Sequence, residues 1–117
     1  MIAKKKSDLK NTDWEIDFYS RPIIDENGKK RWELLITSTN NFKDTKTFKW
    51  EKKCPANSVN SIWLKNALEE AIDEACSQGW KKPSVIRCWR SSMKTMIKRA
   101  ADQIGIDLYL AEEPIHY

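Results

Sequence analysis

The chain has 117 residues, 40% hydrophobic and 32% charged, with a formal net charge of +4. That length buries one core and suggests one domain, and no run approaches the roughly 20 apolar residues that a membrane-spanning helix needs. Three cysteines without a CxxC spacing and a lone histidine, His116, give neither zinc ligation nor Cys–His catalysis a basis.

Residues 1–12 are polar and basic and read as a flexible arm. No apolar segment follows the lysines of MIAKKKSDLK, so a signal peptide is not expected and a cytoplasmic chain is. Trp14-Glu-Ile-Asp-Phe-Tyr-Ser20 alternates cleanly as a first strand, with Trp14, Ile16 and Phe18 on one face and Glu15, Asp17 and Tyr19 on the other. Arg21-Pro22 ends or bends it, and Asn27-Gly28 suits a hairpin turn. The second strand, 31–38, turns Trp32, Leu34 and Ile36 inward. After a polar loop, a third strand over 45–53 turns Phe48 and Trp50 inward. Cys54-Pro-Ala-Asn-Ser58 then leads to a helix capped at Asn57 or Ser58, with Val59, Ile62, Trp63, Ala67, Leu68, Ala71, Ile72, Ala75 and Cys76 on its apolar side and Gly79 as its stop.

Ser84 to Arg90 follows Pro83 as a short β-branched and aromatic strand. Met93, Met96, Ile97, Ala100, Ala101 and Ile104 recur at helical spacing, with Ser91 or Ser92 as the expected N-cap. Gly105 stops this helix and Ile106 to Leu110 forms a last strand. Residues 111–117 read as a tail. Cys76 and Cys88 sit among apolar neighbours and are expected in the core as reduced thiols.

The order is βββαβαβ, so 13–110 is expected to be one α/β domain. Right-handed crossovers most simply place the fourth strand beside the first. The five-stranded mixed sheet then has the order 3-2-1-4-5, a ribonuclease-H-like topology with both helices on one face. The other face lacks a helix and would be lined by Tyr19, Leu35, Lys49, Arg87, Trp89 and Tyr109.

Charge is unevenly spread. Ser77 to Ala101 holds seven cations (Lys81, Lys82, Arg87, Arg90, Lys94, Lys98 and Arg99) and no acid, while residues 1–76 carry 14 basic against 13 acidic residues. Within that stretch a strand end turns directly into a helix N-terminus flanked by Arg90 and Lys94. Free N–H groups, a positive dipole end and cations together suit a phosphate. A capped helix with a solvated basic face is the alternative on spacing alone.

Cations that track phosphates, with rings that stack bases, point to single-stranded nucleic acid, and a sheet face fits RNA better than duplex DNA. The residues expected to carry RNA binding are Arg87, Trp89, Arg90, Lys94, Lys98 and Arg99, with Tyr19 and Tyr109 beside them. No cofactor, metal or catalytic residue is expected. A scaffold whose open face docks a second domain or a second copy of the chain is an alternative. A metal-dependent nuclease using Asp17 and Glu33 is less favoured, because Cys88-Trp89-Arg90 stands where a metal site would want an acid. Those two carboxylates read instead as partners for Arg21, Arg31 or Lys49 across the hairpin.

Trp14-Glu-Ile-Asp-Phe-Tyr-Ser-Arg-Pro22, Trp32-Glu-Leu-Leu35, Cys54-Pro-Ala-Asn57, Asn60 to Leu64 and the run Ile86 to Ala100 resemble the N-terminal domain of the Tab/Atab family. That family comprises RNA-binding proteins of cyanobacteria and plastids required for translation of photosystem mRNAs. The resemblance implies recognition of an A/U-rich leader RNA, a role in photosystem biogenesis and no catalytic residue. Family members are typically more than twice as long, with a second domain.

Overall fold

Trp14, Ile16 and Phe18 alternate with Glu15 and Asp17, and this period of two sets the first strand, β1 (Trp14–Ile24), in the computed structural model. The structure describes residues 13–24, 26, 28–39, 47–88 and 91–110. The expected arm over 1–12 and tail over 111–117 lie outside these residues. β1 pairs antiparallel with β2 (Lys30–Ser38), in register from Trp14 opposite Ser38 to Arg21 opposite Arg31. The pairing then slips, and Ile24 faces Lys30. Pro22 stands in the slip. It does not end β1, which runs on to Ile24.

The third strand, β3 (Lys49–Cys54), begins four residues later than the expected Thr45. Phe48 precedes it and is anchored to Ser38 on both sides. The Ser38 N–H donates to the Phe48 carbonyl at 2.9 Å, and the Phe48 N–H donates to Ser38 Oγ at 2.9 Å. A buried hydroxyl thus satisfies a buried amide where regular pairing starts. β4 (Val85–Cys88) lies parallel to β1, and β5 (Asp107–Leu110) lies parallel to β4. The described strands form one sheet in the expected order β3-β2-β1-β4-β5.

The first helix, α1 (Ser61–Ser77), starts later than expected because Ala56–Ser58 forms a separate 3₁₀ turn. Its cap is Asn60, not Asn57 or Ser58, and the Asn60 side-chain oxygen accepts from the Trp63 N–H at 2.8 Å. Leu64, Ala67, Leu68, Ala71 and Ala75 form its buried stripe. Ile62 and Cys76, both expected inside, are exposed. At about 100° per residue Cys76 lies roughly 120° round from the centre of that stripe, beyond the reach of the sheet. Asn60→Ala is expected to cost about 1 kcal/mol and lower the thermal midpoint by roughly 4 °C, with Asn57→Ala near wild type in the same melt.

The second helix, α2 (Lys94–Gln103), follows a 3₁₀ turn over Ser91–Met93. That turn puts Met93 at the cap position in place of the expected serine, and no side chain caps the helix. Both helices end alike. The Trp80 N–H donates to the Ala75 carbonyl and the Ile106 N–H to the Ala101 carbonyl, each at 3.0 Å, past glycines with positive φ. Each closing turn buries the residue after its glycine, Trp80 or Ile106.

The buried residues of α1 and α2 join Trp14, Ile16, Phe18, Leu34, Ile36, Ile86 and Cys88 in one core. Both helices therefore cover the same face of the sheet. Phe18 stacks on Trp63 at 5.5 Å and meets Trp32 edge-on at 5.6 Å, while Trp14 stacks on Phe48 at 5.5 Å. Cys54 is buried too, and desolvation pushes its thiol pKa up to about 11.

Candidate nucleic-acid interface

The strand phase opposite the core defines the helix-free face. The register aligns Lys49, Thr37, Glu15, Arg87 and Tyr109 in one row across all five strands. Neighbouring rows bring Glu51, Leu35 and Asp17 together, and Lys53, Glu33 and Tyr19. The expected lining residues Tyr19, Leu35, Lys49, Arg87 and Tyr109 are therefore on this face, while Trp89 and Arg90 lie outside the described residues.

At the β4–β5 margin the Arg87 guanidinium carbon stands 4.8 Å from the centre of the Tyr109 ring. This is a cation–π contact, and Arg87 Nε is buried without a hydrogen-bond partner. Tyr109 remains 53% exposed. The pair presents a ring with a cation behind it, held at the edge of a rigid sheet.

The centre of the face differs from the sequence reading. Glu15, Asp17 and Glu33 are only 0%, 4% and 6% exposed, so carboxylates are embedded in the middle of a surface expected to be cationic and aromatic. Glu33 accepts from Arg21 at 2.8 Å, the cross-hairpin partnership expected for it. The hydrogen bond and charge of Glu33 hold the Arg21 guanidinium above its ordinary pKa. Among the described residues no set of three His, Cys, Asp or Glu side chains is placed to share a metal ion.

Lys94, Lys98 and Arg99 belong elsewhere. Ile97, Ala100 and Ala101 face the core, and the three cations are exposed on α2, which covers the sheet face opposite to Arg87 and Tyr109. The alternation of β4 causes the division: Ile86 and Cys88 point beneath the helices and Arg87 points away. Lys98 is also 3.3 Å from Asp102, an exposed pair of small energetic weight. Lys82 donates to the Ile104 carbonyl at 2.6 Å, which places a cation at the carboxyl end of α2. The acid-free stretch is thus one run in sequence but several surfaces in space.

A further cationic cluster has no counterpart in the linear reading. Lys30, Arg31 and Lys53 line a cavity of about 280 Å³ with Cys54, Pro55 and Ala56. Two strands contribute these cations, and only the antiparallel register of Trp32 with Cys54 joins them. Applying that register to the sequence would have revealed the cluster.

A family model described as RNA-binding protein Tab2/Atab2 N terminal matches residues 13–113. The chain is 38% identical over 94 residues to the maize (Zea mays) Protein TAB2 homolog, chloroplastic, and 39% identical over 95 residues to the Arabidopsis thaliana protein of the same description. These alignments cover 80% of this chain but 22% and 23% of the two relatives, so the chain spans less than a quarter of their length. Among solved structures, a chain of the simian T-cell lymphotropic virus intasome in complex with PP2A regulatory subunit B56 gamma superposes with a TM-score of 0.52. It covers 88% of this chain and 32% of that one at 17% identity, which is a likeness of fold alone.

Proposed function

As the chain belongs to the RNA-binding Tab2/Atab2 family, matching its N-terminal part, we propose that it binds single-stranded, A/U-rich leader RNA and supports translation of photosystem mRNAs. It acts without catalysis, in the cytoplasm of a cyanobacterium. The observation that carries this reading is the exposed Tyr109 ring backed by Arg87 on the sheet face that no described helix covers. An exposed ring at a sheet margin can stack on an unpaired base, while a duplex keeps its base faces hidden. Lys94 and Arg99, with Lys98, supply phosphate contacts around the sheet end where β4 leads into α2.

In the alternative reading the helix-free face docks a second domain or a second copy of the chain.

A salt titration tests the RNA reading. Affinity for an A/U-rich single strand is expected to fall with a log–log slope of roughly −0.7 per phosphate contact, and a duplex of the same sequence should bind more weakly. Neutralising Lys4, Lys5 and Lys6 as glutamines should leave most of the affinity in place. Equal binding of duplex, or loss of binding in that arm variant, would refute the assignment to the sheet margin and α2.

A further inference from the structure

The outer corner of the sheet, where β2 begins and β3 ends, concentrates charge that the fold itself does not use. Lys30, Arg31 and Lys53 line the cavity there, and no acidic residue does. The neighbouring charges are already engaged: Glu33 holds Arg21 at 2.8 Å, and Lys52, on the helix side, holds Glu70 at 2.8 Å. Among the described residues the side chains of Lys30, Arg31 and Lys53 form no hydrogen bond or ion pair. Lys30 and Lys53 are exposed and Arg31 is half-buried, so all three can be reached from solvent. Cys54, Pro55 and Ala56 complete the wall with uncharged surface, since the Cys54 thiol stays protonated through neutral pH.

Position in the fold strengthens the case. Arg21 faces Arg31 and Tyr19 faces Glu33, so this corner lies toward the end to which β1 runs. β4 is parallel to β1 and leads, at that same end, into Lys94 at the start of α2. Ligands of open α/β sheets gather outside the carboxyl ends of their parallel strands. β3 and β4 are separated by three strand spacings, about 14 Å, and Tyr19 lies between them on β1.

Resting on the RNA reading above, we infer that the corner pocket takes one nucleotide of the bound strand. Lys30, Arg31 and Lys53 hold its phosphate, and Pro55 and Ala56 pack against its sugar. Arg31 can donate two parallel hydrogen bonds to phosphate oxygens, while the lysines act as point charges. The cavity of about 280 Å³ matches one nucleotide unit and leaves the rest of the strand outside.

The test uses the whole 117-residue chain and two probes, uridine 5′-monophosphate and an A/U-rich single strand. Followed by amide NMR, the mononucleotide is expected to shift Lys30, Arg31 and Lys53 to Ala56 saturably, and uridine lacking the phosphate is not. The Lys30→Gln, Arg31→Gln, Lys53→Gln triple variant keeps most of each stem and should melt like wild type. It should weaken RNA binding roughly tenfold and reduce the magnitude of the salt slope by about 0.7, the value of one phosphate contact. An unchanged slope and affinity in the triple variant, with wild type binding RNA, overturns the pocket while leaving the RNA reading in place. Silence of these amides toward the mononucleotide overturns it whatever the variant does. A mononucleotide response here without RNA binding by wild type supports the nucleotide pocket and defeats the RNA reading.

Discussion

Phe18→Ala is expected to remove about 3–5 kcal/mol of stability, measured by urea unfolding. Phe18 is fully buried, stacked on Trp63 of α1 and edge-on to Trp32 of β2, so one side chain joins the central strand to its neighbour and to the covering helix. Truncation leaves a cavity walled by two large rings that cannot collapse without moving a helix. Against a typical total of about 5–15 kcal/mol, the loss is a large fraction of what holds the fold. Tyr19→Ala, one residue along and on the opposite face, should cost far less. Equal losses at the two positions would contradict the assignment of faces along β1.

Simultaneous Lys94→Gln, Lys98→Gln and Arg99→Gln is expected to cut the magnitude of the salt slope for single-stranded RNA by between about 1.4 and 2.1. The lower figure corresponds to two contacts, because Lys98 already has Asp102 within 3.3 Å. All single-stranded sequences should lose affinity about equally, since phosphates carry no base identity. Tyr109→Ala should behave differently, losing about 1–3 kcal/mol of binding, roughly 5- to 150-fold, at constant slope. Charge and stacking reside on opposite sides of the sheet, and the two variants combined should add to within about 0.5 kcal/mol. If the triple variant retains the wild-type slope, the outer side of α2 is a solvated surface with no RNA on it.

Sheet order and the inward residues of β1 and β2 were legible because hydrophobic alternation is a local signal that the core then enforces. The phase opposite the core was legible too, but its degree of burial was not. Glu15 and Asp17 alternate with core residues and read as lying on the other face, and alternation by itself does not show that both are buried there. The cap of α1 was misplaced because Asn57, Ser58 and Asn60 all have capping chemistry, and only the 3₁₀ turn over Ala56–Ser58 selects Asn60. Cys76 was expected inside because its neighbours are apolar, but a helix stripe is decided by angle and not by neighbours in sequence. The acid-free run is contiguous in sequence, but the alternation of β4, with Ile86 and Cys88 in the core and Arg87 on the other face, is what decides where its cations stand. Lys30, Arg31 and Lys53 escaped notice because strand pairing, not sequence, brings them together.

Among the described residues the parallel seam between β1 and β4 runs from Trp14 opposite Ile86 to Ile16 opposite Cys88, and it joins segments about 70 residues apart. Closing a loop of that length costs on the order of 4 kcal/mol in chain entropy, whereas the β1–β2 hairpin closes through a turn of a few residues. The antiparallel half has cheap, local contacts and the seam has expensive ones, an asymmetry that orders events in time. On a ribosome the first three strands emerge together and can pair at once. The sheet can be completed only after α1 and then β4 have followed them out, so the core beneath the helices closes last.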